Sequence, residues 1–186
     1  MKSPMSSELS ERMFVADDAR QRVAREKPNF RAIVTIMLDP TPARVLAPVI
    51  GARLERVDVQ WHVVPGQDDS MVRFWLTFAD VADGTFGFHV GADGEALDVI
   101  PERPGCDADM GAYGRLELRP ALAPDPPAAA LGQRLVGVSD LFDGYLGSAI
   151  GARLHFESVD VSVADAHDEL HWATGDLPDT VVAGLL

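Results

Sequence analysis

His167-Asp168-Glu169-Leu170-His171 is the most metal-like string in this 186-residue chain, with two histidines four apart and carboxylates between them. On a helix that spacing would put both rings on one face, where they could share an ion. Leu170 and Trp172 instead alternate as in a strand, so the string reads as solvated turn residues. Cys106 beside Asp107-Ala108-Asp109 has no histidine near it in sequence and lies among prolines and glycines, which makes it a loop cysteine. The carboxylate pairs Asp68-Asp69 and Asp168-Glu169 fall in expected turns, where charge needs no acid–base role. No phosphate loop, dinucleotide fingerprint, nucleophile elbow or paired-cysteine zinc motif occurs. The sequence therefore nominates no catalytic residue, no cofactor and no metal.

One constellation carries more weight. Arg73 and Trp75 alternate with the apolar row of their strand, and Arg153 and His155 do the same on a second strand of matching pattern. If the apolar rows are the packed interior, these four point outward. An exposed tryptophan beside an arginine is a common interface anchor. If the sheet is covered on both faces, the four would line a pocket, or Trp75 would be buried under the N-terminal helix.

The strands that position them occur twice. Ile50-Gly51-Ala52-Arg53-Leu54-Glu55-Arg56-Val57 and Leu131-Gly132-Gln133-Arg134-Leu135-Val136-Gly137-Val138 both read apolar-Gly-x-Arg-Leu-x-x-Val. Further on, Leu76 and Phe78 align with Leu154 and Phe156, Phe86–Val90 with Val159–Val163, and Asp93–Leu97 with Ala166–Leu170. In the first copy Val57, Val59, Trp61 and Val63 share one face, followed by Val72, Phe74, Leu76 and Phe78. Ile150, Ala152, Leu154 and Phe156, then Val159, Val161 and Val163, repeat that alternation in the second. Turns are expected at 65–70, at Asp83-Gly84 and at Ala92-Asp93-Gly94. Ile-Gly-Ala-Arg-Leu at 50–54 and again at 150–154 is a coincidence, because it sets a strand start against a strand middle.

Two meanders with one apolar face each must bury those faces. The expected class is mainly β (α+β), an internally duplicated pair of four-strand meanders forming a barrel or a two-sheet sandwich. A barrel or half-open barrel is favoured, with an N-terminal helix across one end. That helix is expected over residues 1–28, with Ser7 as its cap and Pro28 as its stop. The duplicated β domain spans 29–173, with copy one at 50–100, an insert at 101–130 and copy two at 131–173. The strand-like run Phe30–Leu38 precedes copy one, and Thr41-Pro42 begins a helix that Pro48 and Gly51 keep short. The insert carries one strand near Tyr113–Leu118 and a stiff Pro124–Pro127 connector. A tail at 174–186 closes with a short helix from Pro178.

A net charge of −13 argues against nucleic acid or an anionic membrane as a partner, since a phosphate backbone repels such a surface. The chain has one cysteine, so no internal disulfide, which fits a reducing, cytoplasmic setting. No run reaches the roughly 20 apolar residues of a membrane span.

The pattern Gly-x-x-Leu-x-x-Val, then an alternating strand ending Leu-x-Phe, then Asp-x-Leu or Glu-x-Leu, resembles small uncharacterised actinobacterial β-repeat domains over residues 50–100 and 131–173. The resemblance implies a cytoplasmic binding or immunity-type module with a protein partner. In architecture alone, a strand barrel with a helical lid is similar to the small β-barrel cyclases of natural-product pathways. That likeness implies a cofactor-independent enzyme, or a small-molecule-binding protein, acting by shape on an apolar ligand. The first expectation is therefore a non-catalytic binding module whose partner is another protein or a second copy of the chain. A homodimer joined through the N-terminal helix is a further alternative.

Overall fold

The computed structural model describes residues 41–91, 96–142 and 149–183, which belong to one compact unit spanning 40–186. The helix expected over 1–28, the run Phe30–Leu38, the turn at Ala92-Asp93-Gly94 and residues 184–186 lie outside the described residues.

Thr41 precedes α1 (Pro42–Leu46), where the proline presets a helical φ at a position that needs no N–H partner. A single 3-10 turn, Ala47–Val49, follows, and Gly51 at φ 90 ends it. β1 (Leu54–Val63), β2 (Ser70–Phe78), β3 (Thr85–Val90) and β4 (Leu97–Pro101) then form an antiparallel meander. From the insert come β5 (Ala108–Asp109) and β6 (Arg115–Pro120), which extend the same sheet beyond β1 in the order β4-β3-β2-β1-β6-β5. The second sheet holds β7 (Leu135–Phe142), β8 (Ala149–Phe156), β9 (Asp160–Ala166) and β10 (Glu169–Thr174), ordered β10-β9-β8-β7. The short α2 (Asp179–Ala183) closes the described chain. No helix of the described residues is long and apolar enough to cross a membrane.

Alternation decides what each strand buries. Val57, Val59, Phe74, Leu76 and Phe88 of the first sheet share one core with Ala152, Leu154, Val161, Val163 and Leu170 of the second. Phe74 stacks on Phe88 with ring centroids 4.5 Å apart, and Trp172 of the other sheet approaches Phe74 at 5.3 Å. Trp61 meets the edge of Trp172 at 6.4 Å. The space between the sheets is thus filled by side chains, each large apolar one contributing about 1.5–3 kcal/mol on burial.

The architecture is a two-sheet sandwich, and the favoured barrel is not formed. Among the described strands β4, β5, β7 and β10 each pair on one side only. A period-two pattern is the same in a barrel and a sandwich, so the sequence could not separate them. Here the first strands of the two sheets touch through a single bridge, Arg53 to Arg134, and β6 takes the rest of the β1 edge.

That bridge sits in a reciprocal set of hydrogen bonds. Gly51 N–H donates to Leu135 O at 2.7 Å, and Gly132 N–H donates to Leu54 O at 2.8 Å. Leu135 N–H donates to Ala52 O at 3.0 Å, and Leu54 N–H donates to Gln133 O at 2.8 Å. Both glycines have φ in the left-handed region, 90 and 82, which side chains rarely adopt. The registers match as well: Leu54 pairs Phe78 and Val57 pairs Leu76, while Leu135 pairs Phe156 and Val138 pairs Leu154. Each first strand carries a register shift directly after its leucine.

Two helical pieces complete the packing. α1 packs against β7, β8 and β4, with Leu46 fully buried, and Ala43 N–H donates to Asp140 Oδ1 at 2.7 Å. At the other side Leu177 and Val181 pack on Ala164 and Ala166, whose small side chains let the chain come close.

Candidate functional site

The structure separates the four candidate residues. Arg73 and Trp75 lie on the outer face of the six-stranded sheet, and Arg153 and His155 on the outer face of the four-stranded one. The shared core lies between them, so they cannot form one surface. Trp75 is only 1% exposed, and it is not an exposed anchor. Its indole Nε1–H donates to Glu102 Oε1 at 3.0 Å, and a Cβ added to Gly105 would stand 3.4 Å from its ring. Arg73 holds its guanidinium carbon 5.9 Å from the centre of that ring, a cation–π contact.

Around Trp75 the outer face is polar yet covered. Across the register Gln60 pairs Arg73 and Arg73 pairs His89, while Asp58 pairs Trp75. Asp58 and Gln60 are buried. The Gln60 amide donates to Cys106 O at 3.0 Å, and Arg56 donates twice to Asp58 Oδ1. Asp58 Oδ2, Arg73 Nε and His89 Nε2 are buried with no hydrogen-bond partner among the described residues. Such atoms weaken a fold by about 1–3 kcal/mol each when no water or group reaches them.

The opposite face is covered at Ala164 and Ala166 by Leu177 and Val181, and partly exposed around His155. His155 Nε2 stands 2.9 Å from Ser139 Oγ, and His155 Nδ1 stands 3.0 Å from Asp160 Oδ1. Gly137 is the cross-strand neighbour of His155, and the room above it lets the ring lean to Ser139. The linkage is that of a serine–histidine–aspartate relay. It lies on a solvent-facing strand surface, with Ser139 exposed and His155 and Asp160 partly so. Arg153, the group nearest to an oxyanion donor by register, is held by Ser162 and Asp176. The three side chains link β7, β8 and β9 as a cross-strand ladder, and among the described residues no wall stands over it. Ser139 and Asp160 were not singled out from sequence, because the three residues come from three strands.

His167 and Asp168 occupy the two-residue turn between β9 and β10 with φ of 58 and 61, as expected of turn residues. No group of three or more metal-ligating side chains occurs among the described residues. Cys106 is exposed. A depression of ≈ 550 Å³ runs along β6 beside Arg115, Glu117 and Arg119. Others of ≈ 510 Å³ and ≈ 260 Å³ lie at the β2–β3 turn and beside Leu122. All three are at the surface, and none opens between the sheets.

The remaining unusual surface is an edge. β7 carries two of the most exposed large apolar side chains, Val136 at 56% and Phe142 at 57%. No described strand pairs with its outer side. The corresponding side of β1 is filled by β6, in the register Asp58 to Pro120 through Val63 to Arg115. On β6, Glu117 binds Arg119 and Arg115, and Arg119 also reaches Asp69 at 2.8 Å. The hydrogen bonds from Arg119, then Arg115, hold the Glu117 carboxyl below its usual range, and Asp69 and Glu117 raise Arg119. These pairs face the same side as Val59 and Trp61, so the core ends at β6.

No protein-family model, curated protein or solved structure matches the chain.

Proposed function

We propose that this protein is a non-catalytic binding module, of immunity type or another partner-binding role, that engages a protein partner by strand addition at the outer side of β7. The observation that carries this reading is the contrast between two strands of equal setting. β1 has its outer side taken by β6, whereas β7 presents Val136 and Phe142 to solvent with no described strand beside it. Open strand edges with exposed apolar side chains are ready templates for another chain. Arg153 and His155 stand one strand in from this edge, on β8, where an added strand would bring its own side chains near them.

The filled interior supports a surface role over one that needs an internal ligand chamber. The two meanders are taken as copies of one duplicated unit. Support comes from the reciprocal hydrogen bonds of Gly51 and Gly132 and from the matched registers of Leu54 and Leu135. A single, exposed cysteine fits a cytoplasmic setting.

The test is capture of partners by the tagged protein from its host lysate, read by mass spectrometry. The reading predicts a stoichiometric partner that is retained by Leu122→Lys and lost with Phe142→Lys. A partner lost on Arg73→Glu and indifferent to Phe142→Lys would overturn it.

A further inference from the structure

We draw no further inference here: the strongest candidate, the polar side-chain cluster Asp58, Arg73 and His89 across β1, β2 and β3 on the outer face of the first sheet, carries nothing, because none of the three depressions opens on it and nothing in the structure shows what covers it.

Discussion

β1 and β7 begin with the same reciprocal hydrogen bonds, carry a register shift at the same place and bury the same kind of inner row. Their outer sides differ. The insert between the meanders supplies β6, which satisfies the backbone of β1 and ends the core with an Arg–Glu–Arg ladder. β7 has no such strand among the described residues and shows Val136 and Phe142 instead. Equal local pattern therefore leads to unequal surfaces, because what covers an edge is set by a distant segment. The polar faces teach a related lesson. On the partly exposed part of the other sheet's outer face Ser139, His155 and Asp160 bind one another. On the face around Trp75, Asp58, Arg73 and His89 each keep an atom with no partner among the described residues.

If the two junctions are equivalent, matched substitutions should cost the same. Leu54→Ala and Leu135→Ala, both at fully buried positions, should each lower stability by about 2–5 kcal/mol in chemical denaturation. A cost confined to one of them would break the equivalence. A smaller effect is expected at the glycines. Gly51→Val and Gly132→Val each force a β-branched residue to positive φ, at about 1–3 kcal/mol each. Smaller again, Ser139→Ala should cost no more than about 1 kcal/mol, as one partly exposed hydrogen bond is lost. A fluorophosphonate probe should leave Ser139 unlabelled, and stoichiometric labelling would turn the ladder into a catalytic relay.

The smallest effect concerns the strand that covers β1. Glu117 has its carboxyl held down by Arg119 and Arg115, so its folded pKa lies below the unfolded one. Its contribution is present above the unfolded value and is lost as pH falls through the folded value. The stability difference between wild type and Glu117→Gln should accordingly shrink towards zero on acidification below the ordinary glutamate range. A difference that grows on acidification would contradict that sign.

Much of the scaffold was legible in the chain. Period-two rows named the inner residues Phe74, Leu76, Leu154 and Val161, and Asp83-Gly84 marked a turn where one occurs. Pro42 and Gly51 bounded the short α1 region as expected. Non-local choices were not legible. Nothing in Arg115–Pro120 says that it pairs with β1 rather than with a strand nearer in sequence. Trp75 reads as outward because its alternation is outward. It is buried because Glu102 and Gly105 come back over it, a covering that no periodicity encodes. The open side of β7 follows only from knowing where β6 went.

Hydrogen exchange of the intact protein, followed by mass spectrometry, compares the two edges most directly. The account predicts slow exchange over 58–63 of β1, since β2 and β6 flank it. Over 137–142 of β7 it predicts faster exchange, since β8 alone flanks it among the described strands. Exchange over 137–142 as slow as that over 58–63 would contradict it.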